Sequence, residues 1–159
     1  MIIKVKGAVD RLMLNRMKLA CGFFAQKLFK KQMLPYVQFN VIIQKKLITS
    51  GCCGPIDPSR PREFEIEIRQ QSRMAMLTIL AHEMIHCKQF AYGELKEKYI
   101  KQNHVMLWKG EIFSNDIDYW DQPWEIEAYG LENSLVAKFL KETQTYAYFG
   151  QKVKDWSLS

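Results

Sequence analysis

The stretch that decides the fold is residues 72–90, SRMAMLTILAHEMIHCKQF. Its length and composition predict a helix, and its apolar side chains occur nearly all round the helical circumference. Ser72 has the side chain and the position of an N-cap, and Tyr92 and Gly93 end the helix. We therefore expect this helix to lie in a core rather than on a surface.

A His-Glu-x-x-His pattern, formed by His82, Glu83 and His86, lies inside this helix. Residues four apart lie one above the other on a helix face, so both imidazoles can reach one metal ion. Glu83 places its carboxylate beside a water on that metal, where it can accept a proton as the water attacks a carbonyl. The motif predicts a Zn²⁺ site with His82 and His86 as ligands and Glu83 as the catalytic base.

The zinc needs at least one more protein ligand, and one position stays open for water. An extension to H-E-x-x-H-x-x-G-x-x-H is excluded, because Gln89 and Tyr92 occupy the positions of the glycine and the third histidine. The remaining candidates are Glu125, Glu127 and His104.

Glu125 is the third ligand that we expect. It lies in the first turn of a helix that begins at Pro123, where a carboxylate is stabilised, and helix-borne ligands are held more rigidly than loop-borne ones. Glu127 is two residues further on and points to a different side, so both carboxylates cannot ligate from one regular helix. We expect Glu127 to be a supporting or surface carboxylate, and His104 remains the alternative ligand.

A motif helix followed by a second helix with Glu125-Ile-Glu-Ala128 resembles the gluzincin pattern of thermolysin-like and ImmA/IrrE-type peptidases. The resemblance implies that Glu125 is the third zinc ligand and that Ala128 packs against the motif helix. Such families often carry Asp or Asn after that alanine, whereas this chain has Tyr129. The combination of a strand, the motif helix and a helix that begins Pro123-Trp-Glu-Ile-Glu-Ala128 also resembles small metallopeptidases encoded by bacteriophages. The activity implied is that of a zinc metalloendopeptidase acting on a protein or peptide.

Two alternatives remain open. The run His-Glu-Met-Ile-His is similar to SprT-like proteases, in which a downstream histidine, here His104, is the third ligand, and the net charge of +6 permits weak association with nucleic acid. The second alternative is a non-catalytic module that binds zinc, nucleic acid or a virion partner. Glu83 argues against it, because a structural zinc site needs no base.

The surrounding sequence predicts an α+β fold. Apolar residues in helical spacing predict two further helices, over residues 9–33 and 124–141. Alternating apolar residues and β-branched content predict three strands, over residues 37–43, 47–49 and 63–69. Residues 51–58 are expected to be irregular because they contain two glycines and two prolines, residues 94–122 to be rich in loops, and the tail after Gly150 to fray. We expect a single zincin-like domain over 1–159, with a small, mainly antiparallel sheet.

Other features bear on the substrate and the compartment. The strand over 63–69 precedes the motif helix, so we expect it to border the cleft and to pair with an extended peptide. Aromatic residues near the second helix could shape the cleft or donate a phenolic proton: Tyr119, Trp120, Trp124 and Tyr129. The four cysteines are irregularly spaced, and neither a signal peptide nor a membrane span is evident, so a cytoplasmic protein with free thiols is expected.

Overall fold

The computed structural model describes residues 1–57, 59–114 and 116–151. Within these ranges the helices are α1 (Arg11–Leu28), α2 (Arg73–Ala91) and α3 (Pro123–Thr143). The strands are β1 (Ile2–Gly7), β2 (Gln38–Gln44), β3 (Gly51–Pro55), β4 (Glu63–Arg69), β5 (Leu95–Ile100), β6 (Asn103–Trp108) and β7 (Glu111–Ser114). Short 3-10 helices occupy Leu34–Tyr36 and Tyr119–Asp121.

The helix starts follow from local chemistry. Asp10 caps α1 by accepting a hydrogen bond from the Met13 amide at 2.7 Å, and Ser72 caps α2 in the same way through the Ala75 amide at 3.2 Å. Pro123 occupies the first turn of α3, where its missing N–H costs nothing. The predicted cap at Ser72 and the predicted start at Pro123 are both confirmed.

The first sheet has the strand order β1-β2-β4-β3. β1 pairs with β2 and β2 with β4 in parallel, while β3 is antiparallel to β4. Alternate residues of β2 and β4 are buried and lie opposite one another in register: Phe39 and Phe64, Val41 and Ile66, Ile43 and Ile68. One face of this sheet therefore carries the core, as the alternation over 63–69 predicts.

Helix α2 lies in the middle of that core, in contact with α1, α3 and strands β3 and β4. Eleven of its residues are buried, including both motif histidines and Glu83. The expectation that this helix is a core helix is confirmed, and the helix runs one residue beyond the predicted end at Phe90.

A second sheet, which we did not expect, replaces the predicted loop-rich region over 94–122. It has the order β5-β6-β7, and both pairings are antiparallel. Its two hairpin turns use left-handed backbone at Lys101 and Gln102, and at Lys109 and Gly110. Only the last of these four residues is a glycine, so the usual sequence signal of a hairpin was missing.

Three further predictions are wrong. Residues 51–55 form β3 rather than irregular chain, because an edge strand tolerates glycine and proline; Pro58 lies outside the described residues. Residues 47–49 do not form a strand, and Ile48 and Thr49 lie in a bend. β4 has a partner on each side, so it has no edge for a peptide, and β3 is the edge strand instead.

The fold class is confirmed as α+β with mostly antiparallel strand pairings: the described residues form three α-helices, and their strands divide between two sheets. The expected tail after Gly150 falls largely outside the described residues. Within the part of the chain that is described, no helix is long and apolar enough to cross a membrane.

Candidate metal centre

Helices α2 and α3 bring together His82, His86 and Glu125. The two Nε2 atoms lie 3.1 Å apart. Oε2 of Glu125 lies 3.1 Å from Nε2 of His82, and its Oε1 lies 3.3 Å from Nε2 of His86. Among the described residues these three side chains form a group that could hold a metal ion, as the sequence predicts.

The group lies in a cleft of about 760 Å³. One face of α2 forms the floor, and β3, the start of α3 and the β5–β6 hairpin contribute to the walls. His82, Glu83 and His86 are 8%, 6% and 7% exposed. The side chains are therefore largely shielded from bulk water, yet each lines the cleft.

His86 is oriented by a chain of hydrogen bonds through Gln89. The amide nitrogen of Gln89 donates to the Trp124 carbonyl at 3.1 Å and to Oε2 of Glu127 at 2.8 Å, and both of these groups are acceptors. This fixes the amide orientation, so Oε1 of Gln89 accepts from Nδ1 of His86 at 2.8 Å. In the neutral ring, the Nε2 atom of His86 then carries the lone pair.

His82 is oriented in the same way by Glu132, whose Oε2 accepts from Nδ1 at 2.9 Å. In its neutral form, each imidazole thus directs an Nε2 lone pair towards the carboxylate of Glu125. Three electron-pair donors facing one point at 3.1–3.3 Å need a cation among them. The donor set therefore fits a metal ion, and carboxylate or amide partners on the outer nitrogens are typical of metal-binding histidines.

The pKa values reflect the same convergence. Burial lowers the pKa of His82, but hydrogen bonds to Glu125 and Glu132 raise it to about 9. Burial also opposes ionisation of Glu125, yet hydrogen bonds with His82 and His86 hold the pKa of its carboxyl well below its usual range. Glu125 is therefore a carboxylate, and a proton on His82 occupies the position that a metal ion would take.

Glu83 lies beside this group with its carboxyl against β3. A β-carbon on Gly51 would lie 2.9 Å from Oε1 of Glu83 and 2.4 Å from Cγ2 of Ile79, so only glycine leaves room there. The Cys53 thiol donates to the Glu83 carbonyl at 3.3 Å and ties β3 to α2. Burial raises the pKa of the Glu83 carboxyl, while the nearby His86 and His82 lower it.

Two tyrosines flank the group on the α3 side. The Tyr119 hydroxyl donates to Oε2 of Glu125 at 2.7 Å and lies 3.4 Å from the Tyr129 hydroxyl. The Tyr129 ring packs on His82 with 4.7 Å between ring centroids. Burial, together with hydrogen bonds to Tyr129 and Glu125, raises the pKa of Tyr119, so this phenol keeps its proton.

The other two candidate ligands lie elsewhere. His104 lies on β6, where its Nε2 is 3.5 Å from Oε2 of Glu97, and it is not in the metal-binding group. Glu127 points away from the group, as expected, and accepts hydrogen bonds from Gln89 and Lys109. Its expected role as a supporting carboxylate agrees with the geometry.

Three residues of the site were not assigned from the sequence: Glu132, Gln89 and Gly51. Glu132 follows Glu125 by seven residues, two turns along α3, and this spacing puts both on one face. That signal could have identified Glu132. Gln89 and Gly51 act through contacts between elements, and no local spacing indicates them.

No family model matches the chain, and no similar protein was found among curated proteins or among solved structures.

Proposed function

We propose that this protein is a zinc-dependent metallopeptidase that hydrolyses peptide bonds of a protein or peptide substrate. The observation that carries the proposal is the convergence of both Nε2 atoms and the Glu125 carboxylate on one point in a cleft, with Glu83 beside them. Two imidazoles and one carboxylate suit zinc, and a site with three protein ligands leaves a position for chemistry. A purely structural site has no need for Glu83.

Zinc, when bound, polarises a carbonyl oxygen and lowers the pKa of a coordinated water. The residues of the chain supply the rest. Glu83 takes the proton of the attacking water and returns a proton to the leaving amine. Glu132 and Gln89 keep the two imidazoles in the tautomer that points Nε2 inward.

The cleft offers groups for the substrate as well. Tyr119 and Tyr129 hold hydroxyls next to the group and can donate to the oxyanion that forms on the attacked carbonyl. β3 is one of the two edge strands of the first sheet, and residues 51–53 line the cleft, so an extended peptide can add to that edge. This edge takes over the role that we expected of residues 63–69.

The state of the cysteines indicates the compartment in which the protein acts. Cys21, Cys52, Cys53 and Cys87 are all unpaired, which supports a reducing compartment such as the cytoplasm. The positive net charge supports at most a weak attraction to nucleic acid, and we propose no role for it in catalysis.

The proposal is tested with Glu83→Gln. This change keeps the size of the side chain and removes the base, so the variant should bind one zinc ion as the parent does. Its cleavage of a peptide library, followed by mass spectrometry, should fall by about 10²- to 10⁴-fold. Glu65→Gln, an exposed glutamate on β4, is the matched control and should cleave at the parental rate. A Glu83→Gln protein as active as the parent would contradict the proposal.

A further inference from the structure

The cleft differs in chemistry between its two ends. The α2 residues that line it form one stripe along the helix: Ala75, Thr78, Ile79, His82, Glu83, His86 and Phe90. At the N-terminal end of this stripe the other lining residues are mostly small or polar: Thr49, Ser50 and Gln71. At the C-terminal end they are apolar: Leu95, Met106 and Trp124. The metal-binding group lies between these two ends.

The apolar end belongs to a second hydrophobic cluster, which meets the main core at Phe90. Leu95 and Trp124 are 3% and 5% exposed, and the half-buried Phe90 and Met106 pack against them. The Trp124 ring also contacts the rings of Trp108 and Phe113, at centroid distances of 6.5 and 5.8 Å. The wall of the cleft is therefore backed by packed side chains and is preformed.

The apolar end lies within reach of the reacting bond. Phe90 follows His86 by four residues, which is about 6 Å along the helix axis. One residue of an extended chain spans about 3.3 Å, so the side chain held at the apolar end belongs to a residue within about two positions of the cleaved bond.

The charge of the cleft restricts the substrate further. Three glutamates line the cleft: Glu83, Glu125 and Glu132. The described lining residues include no lysine or arginine. Lysine or arginine is the side chain that binds a terminal carboxylate most strongly. The lining therefore favours bonds inside a chain over bonds next to a free C-terminus.

We infer that this end of the cleft, formed by Phe90, Leu95, Met106 and Trp124, holds a large apolar side chain of the substrate and directs cleavage to internal bonds near that residue. This inference rests on the proposed peptidase function. Met106 is the residue of the set best suited to a test, because it lies in the middle strand of the second sheet and is half-buried. Leu107, its neighbour, points to the opposite face of the sheet and is also half-buried, so it supplies a matched control.

The test uses zinc-loaded protein and end-blocked octapeptides that differ at one position, which is Ala, Leu, Phe or Asp. The parent should cleave the Leu and Phe peptides at least about tenfold more efficiently than the Ala and Asp peptides. Met106→Gln should reduce this ratio by about tenfold, while Leu107→Gln and Met106→Leu keep it within about twofold. Equal efficiency on all four peptides, or equal effects of Met106→Gln and Leu107→Gln, would overturn the inference. So would a requirement for a free C-terminal carboxylate.

Binding of the same peptides to zinc-loaded Glu83→Gln protein, measured by calorimetry, separates the two proposals. In one outcome the parent cleaves no peptide, but the Glu83→Gln protein binds the Leu peptide more tightly than the Ala peptide, and adding Met106→Gln removes this difference. The apolar site then stands and the peptidase proposal fails. In the other outcome the parent cleaves all four peptides with equal efficiency, and the Glu83→Gln protein binds them with equal affinity. The peptidase proposal then stands and the apolar site fails.

Discussion

At the residue scale, one hydrogen bond on each motif histidine determines which ring nitrogen faces the metal-binding group. Each Nδ1 atom has an acceptor, Glu132 for His82 and Gln89 for His86, at 2.9 and 2.8 Å. Without these partners either ring could turn its protonated nitrogen inward, which would block a metal ion. The orientation of both imidazoles therefore depends on two residues that lie outside the metal-binding group.

Replacing Glu132 tests this dependence. Glu132→Ala removes the acceptor and frees the His82 ring, so zinc affinity should fall by about 10- to 100-fold. Glu132→Gln retains a carbonyl oxygen and should lose less. Competition with a metal-chelating dye measures both affinities. Equal affinity in Glu132→Ala and the parent would show that His82 needs no partner.

A second pair of variants identifies the third ligand. Glu125→Ala removes a carboxylate that lies 3.1 and 3.3 Å from the two Nε2 atoms, so zinc binding should weaken by at least about 100-fold. His104→Ala should leave the affinity within about twofold, because that imidazole faces Glu97 on the second sheet. Loss of zinc in His104→Ala and its retention in Glu125→Ala would revive the alternative ligand set.

The sequence predicted the residues that follow local spacing. His82, Glu83 and His86 are fixed by helical geometry, and Glu125 by its place in the first turn of α3. Gln89 could not be predicted, because its role depends on the Trp124 carbonyl and Glu127 across the contact between α2 and α3. Tyr119 was named only as one of several aromatic residues, since its hydrogen bond to Glu125 requires the 3-10 turn that precedes α3.

At the scale of elements, the site depends on how closely β3 approaches α2. Gly51 allows this approach, because any β-carbon there would meet Ile79 and the Glu83 carboxyl. β3 and α2 are joined further by the thiol of Cys53 on the Glu83 carbonyl. The strand therefore sets the position of the Glu83 carboxyl.

Gly51→Ala should displace Glu83 and lower the catalytic rate by at least about tenfold, since small misplacements of a catalytic group are costly. Zinc affinity should change little, because the metal-binding group lies on α2 and α3. Gly54→Ala on the same strand is the control, since a β-carbon there meets nothing within 4 Å. Steady-state kinetics on one peptide compares the two, and equal rates would show that β3 does not position the base.

The elements that the sequence did not predict are those that tertiary contacts create. β3 contains two glycines and a proline, and it is a strand because β4 offers it a partner. β5 is rich in lysine and glutamate, and burial of Leu95 and Trp108 against Trp124 holds its sheet in place. In contrast, α2 and β4 were predicted from their own residues, because α2 is apolar nearly all round and β4 alternates charged and apolar side chains.

For the whole molecule, the metal-binding group joins two helices far apart in sequence. His82 and His86 belong to α2 and Glu125 to α3, so an ion held between them binds the folded chain and not the unfolded one. Ligands of this kind raise stability by mass action.

Zinc should therefore raise the thermal unfolding midpoint. Free zinc at about 100 times its Kd adds about 2.7 kcal/mol, which corresponds to about 5–10 °C for a chain of this size. Scanning calorimetry with zinc and with excess chelator measures the difference. His82→Ala should show no such difference, and a zinc effect of equal size in that variant would indicate binding elsewhere.

The most direct test of the metal centre is X-ray absorption spectroscopy of the purified, zinc-loaded protein. We predict one zinc ion per chain with two imidazole nitrogens and one or more oxygens, all at about 2.0–2.2 Å, and no sulfur. A spectrum dominated by sulfur at about 2.3 Å, or a protein that fails to retain zinc, would contradict the account.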